Sequence, residues 1–416
     1  MGKKYIDESW DFRTSDTKTY THCYHAYPAR MIPQVTSRII DKYAQDAALL
    51  FDPYCGSGTS LVEANICGID AIGTDINPLA GLIAKAKTEV IDLIKLDKYL
   101  ERFNDLNFKI RFGLYRKNGI KPPEIHNIDF WFDKDIQEKL SIIRNYIWEI
   151  ENGDIADFFK VAFSETVREC SWTRNSEFKL YRMTERQMKK FRPDVFEIMI
   201  SKLARNRKGL KSFLDTRPIE AVSKIYNFNT IDEIPSDILN REGADIVVTS
   251  PPYGDSRTTV AYGQFSRLSS QWLGFENSNQ VDNQLMGGRR KDEDITFKSN
   301  ILNKTINQIK EIDKKRVKDV ISFYADFESS INNVSKVIKK GGYACYVVGN
   351  RKVKGVIIPT DEITKDFFEA NGFEHIETII RNIPNKKMPL KNSPSNVVGI
   401  LDSTMSNEFI VVMRKG

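Results

Sequence analysis

The tetrad Ser250-Pro251-Pro252-Tyr253 follows the apolar run Ala244-Asp245-Ile246-Val247-Val248-Thr249. The run predicts a buried strand, and the prolines end it. Proline has no N–H to donate and rarely sits inside a central strand. The carbonyls before and between the two prolines are thereby left out of any ladder and can accept from an amino group. Tyr253 offers a flat face to a ring. A strand end of this kind suits a pocket that grips the exocyclic amine of a nucleobase.

A second chemical pattern is Asp52-Pro53-Tyr54-Cys55-Gly56-Ser57-Gly58-Thr59. Gly56 and Gly58 let the backbone turn tightly and approach a ligand closely. A lone G-x-G is equally well explained as an ordinary strand-to-helix turn. A phosphate-cradling loop would carry Lys after the second glycine, where Thr59-Ser60 stands. A dinucleotide fingerprint would carry a third glycine where Leu61 stands. Asp75, seventeen residues beyond Gly58, ends the next predicted strand. An acid at that place can accept both hydroxyls of a ribose, although on its own it also reads as an Asx turn before Asn77-Pro78. A loop that admits a nucleoside without a pyrophosphate, together with a ribose acid, suits S-adenosylmethionine.

The elements that must position these residues follow an α/β rhythm. A helix is predicted over Pro33 to Tyr43, a strand over Ala47 to Phe51, a helix over Thr59 to Cys67 closed by Gly68, and a strand over Asp70 to Thr74. Asn77 reads as an N-cap and Pro78 as the first position of a helix reaching Thr88. From about Ile94 to Asn240 the pattern is mainly helical, with candidates at Asp135–Glu149, Ile155–Cys170 and Val195–Leu214. The rhythm resumes at Ala244. A helix over Ser322–Lys340, a Gly341-Gly342 turn, a strand over Tyr343–Val348, a helix over Thr360–Ala370, a strand near Glu377–Ile380 and a last strand over Phe409–Met413 complete it. The expected fold class is α/β, a Rossmann-like sheet of parallel strands split by a mainly helical insert. The expected division is a split catalytic domain, 1–95 and 240–416, around an insert at 96–239.

With 416 residues, 41% apolar and 28% charged, the chain is expected to be globular with a sizeable core. The N-terminus has no apolar signal region, and no run approaches the ~18 apolar residues of a membrane span; a cytoplasmic protein is expected, with no membrane partner. Five cysteines without a C-x-x-C pair and four histidines without an H-x-x-x-H pair give neither a disulfide framework nor a metal site. Net charge is +6, yet Arg168 to Arg217 alone carries fourteen Lys or Arg against six Asp or Glu. Such a field suits a polyanionic partner, and equally a solvated helical face.

The glycine loop together with Thr249-Ser250-Pro251-Pro252-Tyr253 resembles the amino-group DNA methyltransferases of restriction–modification systems, in particular the N4-cytosine branch, whose tetrad begins with Ser. Adenine-N6 enzymes more often begin it with Asp or Asn. Thr21 to Pro33 is similar to the family's third cofactor motif, which closes over the methionine end of the ligand. The resemblance covers roughly 20–95 and 240–416. Motif order departs from many Ser-type enzymes, which place the tetrad before the glycine loop. The resemblance implies a cofactor site of Tyr27, Pro28, Ala29, Met31, Asp52, Pro53, Tyr54, Cys55, Gly56, Gly58, Thr59, Asp75, Ile76 and Asn77. It implies a catalytic role for Ser250, Pro251, Pro252 and Tyr253, with double-stranded DNA as substrate and a cognate restriction endonuclease acting on the same site.

Within that resemblance the target base must leave the duplex, at a cost of a few kcal/mol. The insert is the candidate target-recognition region. Its candidate phosphate contacts are Arg168, Arg174, Lys179, Arg182, Arg186, Lys189 and Lys190, with Arg205, Arg207 and Lys208 behind them, and Arg257 follows the tetrad. Gly287-Gly288-Arg289-Arg290-Lys291 reads as a mobile clamp or, with a slight preference, a plain solvated loop. Lys386-Lys387-Met388-Pro389 reads as a basic loop. No cysteine follows a proline, which argues against the thiolate chemistry of C5-cytosine methylation. Two alternatives stay open: an adenine-N6 DNA or RNA amino-methyltransferase, and an inactive nucleic-acid-binding protein on the same fold.

Overall fold

The computed structural model describes residues 2–115, 119–174, 178–239, 243–255, 259–289, 291, 295–383, 391–392, 402–403 and 406–416. Eight strands form one mixed sheet: β1 (Lys3–Ile6), β2 (Leu49–Asp52), β3 (Asp70–Thr74), β4 (Ser223–Tyr226), β5 (Ala244–Thr249), β6 (Ile338–Val348), and, beyond the small hairpin β7 (Arg351–Val353) and β8 (Val356–Ile358), β9 (Phe373–Asn382) and β12 (Asn407–Lys415). A separate two-strand pair joins β10 (Lys391–Asn392) to β11 (Asp402–Ser403).

The order across the sheet is β1-β9-β12-β6-β5-β2-β3-β4. β4, β3, β2, β5 and β6 run parallel, and β12 runs antiparallel to both β6 and β9. The chain moves outward from β2 to β3 to β4, then returns to place β5 on the other side of β2. The β2–β5 seam is therefore a topological switch point, where the loops leaving two parallel strands open a crevice beyond their carboxyl ends. The glycine loop leaves β2 and the tetrad leaves β5, so the order of strands alone brings the two motifs to one crevice.

Side chains alternate across the sheet as a period of two requires. Leu50, Ile246 and Val248 pack on one face with the helices Pro33–Tyr43 and Thr59–Ile66. Phe51 and Val247 pack on the other with the long helix Lys314–Val337 and the helix Thr360–Glu369. A third core holds the helical region, where Leu140, Phe159, Phe163 and Leu210 meet Tyr24, Leu79 and Trp272. The helical region is thus continuous with elements of the catalytic part and shares their burial.

Three expectations are corrected. The insert does not extend to 239: Ser223–Tyr226 is an edge strand of the main sheet, paired with Ala71–Thr74. Its half-polar sequence hides it, because an edge strand beside a helix needs few apolar positions. Gly341 and Gly342 do not form a turn between a helix and a strand; β6 begins at Ile338, runs through both glycines and absorbs them in a register irregularity against β5. The helix before it starts at Lys314, capped by the Asp313 carboxylate on the N–H groups of Lys315 and Arg316. β1 was not expected; its four residues pair with β9 at the sheet's edge.

Among the described residues no helix is long and apolar enough to cross a membrane, and no group of three His, Cys, Asp or Glu stands at metal-ligand spacing.

Candidate active site

The crevice at the β2–β5 seam opens into a partly enclosed cavity. Its walls include the whole predicted cofactor set except Gly58: Tyr27 to Ala29 and Met31 on one side, Asp52 to Gly56 and Thr59 below, Asp75 to Asn77 opposite. Ser250 and Pro252 of the tetrad face the same space.

Each wall has a local cause. Gly58 holds φ of +74°, and a Cβ on it would lie 2.9 Å from Ala84 Cα and Cβ. Its task is to let the loop cross the helix Pro78–Thr88 at close range, which explains why it does not line the cavity. Lys87 on that helix is buried, and its ammonium donates to the Ser57 carbonyl over 2.7 Å. Burial lowers Lys87 to about 7. The lysine braces the loop from beneath and does not project toward a ligand. Ala29 holds φ of +50°, a left-handed conformation that costs a non-glycine residue of order 1 kcal/mol or more. The guanidinium of Arg30 holds that turn by donating to the carbonyls of His22 and His25, at 2.8 and 3.0 Å.

The two predicted carboxylates differ in what they face. Asp52 is buried and fully engaged inside the protein. One oxygen accepts from Thr249 Oγ1 at 2.5 Å and from the Tyr54 N–H at 3.1 Å, and the other accepts from Ser60 Oγ. Asp75 is half-buried. One oxygen accepts from the Asn77 N–H at 2.8 Å and the other from the Gly56 N–H at 3.1 Å. The same carboxylate both makes the Asx turn and lines the cavity, and each oxygen keeps a second lone pair. Burial raises both carboxylates to about 6.

These residues fit S-adenosylmethionine. Asp75 can accept from ribose hydroxyls, and Ser57 Oγ is buried in the cavity wall with no partner among the described residues. Tyr262 stacks against Tyr27 with ring centroids 6.0 Å apart, and Tyr27 in turn accepts from Asn77 Nδ2 at 3.1 Å. Together Ile76, Tyr262 and Phe228 give an apolar place for a purine.

The other half of the tetrad, Pro251 and Tyr253, does not line this cavity. Pro251 is buried. The Tyr253 hydroxyl donates to Glu408 at 3.0 Å and accepts from Ser250 Oγ at 3.3 Å. Burial, then the neighbouring Glu408 carboxylate, keeps this phenol well above its usual range and protonated. Glu408 is fixed by Arg381, whose own guanidinium donates to the Trp10 and Asp11 carbonyls.

Sequence reasoning missed Phe228, Asn229 and Thr230, which follow the unrecognised strand β4, and Tyr262, Gln284, Leu285 and Met286, which follow the tetrad. An aromatic nine residues past the tetrad was the only available signal for Tyr262. The Gly287-Gly288 stretch is docked. The Gly287 N–H donates to Asp326 at 2.8 Å, and Lys291 pairs with the same carboxylate at 2.5 Å. Arg290, Lys386–Pro389 and Arg257 lie outside the described residues.

The candidate basic contacts separate into two kinds. Arg168 is buried; its guanidinium lies over the Phe265 ring and donates to the Phe265 carbonyl at 3.0 Å, so it binds the helix Tyr262–Leu273 to the helical region and presents no charge to a phosphate. Burial lowers it to about 10. Arg205 and Arg207 pair with Glu165 and Asp97. Arg174, Arg186, Lys189, Lys190 and Lys208 are exposed, and Lys179 and Arg182 partly so.

Residues 1–86 match the model of a family described as DNA methylase, the N6/N4 methyltransferases. The type II methyltransferase M.MvaI of Kocuria varians is 41% identical over 427 aligned positions, which span 97% of this chain and 93% of that protein. The type II methyltransferase M.BsoBI of Geobacillus stearothermophilus is 20% identical over 420, spanning 86% and 79%. M.MjaII of Methanocaldococcus jannaschii, also a type II methyltransferase, is 35% identical over 95 residues, 23% of this chain and 18% of that one. Identity of 41% along nearly the whole of both chains, on a site with this geometry, is decisive: the chain belongs to the N6/N4 DNA amino-methyltransferases of type II restriction–modification systems.

Proposed function

We propose that the protein transfers a methyl group from S-adenosylmethionine to the exocyclic N4 amine of a cytosine flipped out of duplex DNA, as the modification enzyme paired with a restriction endonuclease of the same specificity. The observation that carries this reading is the shared cavity: Ser250 and Pro252 face the space walled by Asp75, Gly56 and Tyr27. The choice of cytosine over adenine rests on Ser250 at the head of the tetrad, the residue type that the N4 branch carries there.

S-adenosylmethionine, when bound, supplies an electrophilic methyl on a sulfonium. Asp75 would accept from its ribose, and the turn at Tyr27–Met31 would hold its methionine end. The cytosine amine is a weak nucleophile because its lone pair is delocalised into the ring. Ser250 Oγ and the carbonyls of Ser250 and Pro251 accept from its N–H groups. As the nitrogen–carbon bond formed, the carbon–sulfur bond would break to leave the thioether, and one amine proton would pass to solvent; the fixed dipoles favour the positive charge that grows on nitrogen meanwhile. Alignment of amine and methyl supplies much of the acceleration, and the ring of Tyr253 packs on the base. Arg174, Lys179, Arg186, Lys189 and Lys190 offset the cost of extruding the base through contacts to phosphates.

The test is expression in a host that lacks DNA methylation, followed by digestion of its DNA to nucleosides and mass spectrometry. N4-methylcytosine is expected. N6-methyladenine alone would transfer the assignment to the adenine branch.

A further inference from the structure

The helical region carries a short hairpin that the catalytic chemistry does not use. Thr173 and Arg182 form an antiparallel bridge. The Arg174 N–H donates to the Tyr181 carbonyl and the Met183 N–H to the Trp172 carbonyl, both at 2.8 Å. The hairpin is fixed at two places. Its Trp172 N–H donates to the Trp131 carbonyl at 2.8 Å. Its Leu180 N–H donates to Gln264 Oε1 at 3.3 Å. Gln264 lies on the helix Tyr262–Leu273, two residues from the Tyr262 that walls the cavity. The hairpin is therefore tied to the helix that supplies Tyr262 to the cavity wall.

Arg182 is its unusual member. The guanidinium lies 4.1 Å over the Phe130 ring and 5.3 Å from the Trp172 ring. Among the described residues no carboxylate pairs with it, and its Nε is buried without a hydrogen-bond partner. Phe130 remains 46% exposed, so the stack forms at the surface. Other arginines of this region are consumed internally: Arg168 by a carbonyl, Arg205 and Arg207 by carboxylates. Arg182 is instead flanked by two aromatic rings, and its guanidinium makes no hydrogen bond among the described residues.

We propose that Arg182 is a specificity-determining residue that reads a guanine of the DNA recognition site. The proposal rests on the DNA-methylation reading above. Stacking fixes the guanidinium plane before binding, and a fixed fork is what a bidentate contact to guanine O6 and N7 demands. A phosphate can be met from many directions by a flexible cation. The exposed Arg174, Arg186, Lys189 and Lys190 around the hairpin already supply such cations. Phe130 and Trp172 are positioning residues for the fork.

The test compares wild type, Arg182→Lys and Phe130→Leu, each expressed as the full chain in a host without DNA methylation, by genome-wide mapping of methylated sites. Lysine keeps the charge and loses the fork. The expected result is a wild-type motif containing a guanine at one position, the only position that Arg182→Lys relaxes, with discrimination there falling about tenfold or more. The other positions keep their preference. Phe130→Leu, which keeps the guanidinium and loses its platform, relaxes the same position to a smaller degree and carries the test if Arg182→Lys does not accumulate folded. An unchanged motif in both variants overturns the proposal. So does a uniform loss over all sites with the salt slope of DNA binding reduced by about one, which marks a phosphate contact. Wild type that methylates no DNA overturns the parent reading instead, and is distinguished by the absence of any motif to compare.

Discussion

Thr249 Oγ1 donates a 2.5 Å hydrogen bond to Asp52 Oδ1, inside the protein and away from solvent. The two residues are 197 positions apart in sequence. Thr249 ends the strand that presents the tetrad, and Asp52 ends the strand that presents the glycine loop. The tetrad and the glycine loop are thus joined by one buried, charge-assisted bond across the β2–β5 seam.

That bond makes Thr249 a brace for both halves of the site. Thr249→Val keeps the shape and removes the donor, leaving a buried carboxylate short of one partner. A bond to a charged group contributes about 1.5–3 kcal/mol. Urea unfolding of Thr249→Val is expected to show a loss of about 2 kcal/mol at unchanged m-value, with Thr249→Ser close to wild type. Cofactor affinity and turnover are expected to fall together in Thr249→Val.

Asp75 gives the site a pH dependence. Burial raises its carboxyl to about 6, so the group loses its charge as pH falls through that value, and with it the capacity to accept both ribose hydroxyls. Calorimetric titration with S-adenosylmethionine is expected to give a dissociation constant about tenfold weaker at pH 5 than at pH 8, as one group of this pKa requires. Asp75→Asn is expected to bind weakly at both values, with the slope removed.

A change at Tyr253 tests whether base handling is separate from cofactor handling. Its hydroxyl is held by Glu408 and Ser250, and the proposed function assigns its ring to the base. Stacking on an aromatic is worth ~1–3 kcal/mol per base. Tyr253→Ala is expected to lower single-turnover methyl transfer by one to two orders of magnitude while cofactor affinity stays within about threefold. Tyr253→Phe, which keeps the ring, is expected to fall in between. Glu408→Gln, which keeps a hydrogen bond and removes the charge, is expected to stay nearer wild type than Tyr253→Ala.

Gly58 and Gly153 form a contrast in folding alone. Gly58→Ala places a methyl 2.9 Å from the Ala84 backbone at a left-handed φ and is expected to be among the most destabilising single changes in the loop, by ~2 kcal/mol or more. Gly153 opens the helix Gly153–Cys170 in open space, and Gly153→Ala is expected to be neutral or to stabilise by up to about 1 kcal/mol. Thermal unfolding of the two variants side by side reads the difference.

What could be read from the sequence follows from how local each cause is. The glycine loop, Asn77-Pro78 as a helix start, and the strands ending at Asp52, Thr74 and Thr249 are each fixed by neighbouring residues, so pattern alone finds them. The Pro33–Tyr43 helix emerges with the same limits for the same reason. Phe228 to Thr230 were not legible, because the strand that delivers them, Ser223–Tyr226, is an edge strand of mixed polarity recognisable only by its partner β3. The burial of Arg168 was equally hidden: a basic run shows its charge count, and only the packing of Phe265 against it reveals that one of those charges serves a backbone carbonyl. The division of labour between Asp52 and Asp75 depends on Thr249 and Ser60, which approach from opposite directions in the chain.

The most direct measurement of the central assignment is the identity of the methylated nucleoside. Purified protein is incubated with S-adenosylmethionine tritiated in the methyl group and with duplex DNA or RNA in parallel, and the products are digested and resolved. Label in N4-methylcytosine from duplex DNA alone is the expected result, lost in Tyr253→Ala. Label in N6-methyladenine, label from RNA only, or binding of the cofactor without label in any substrate would contradict it.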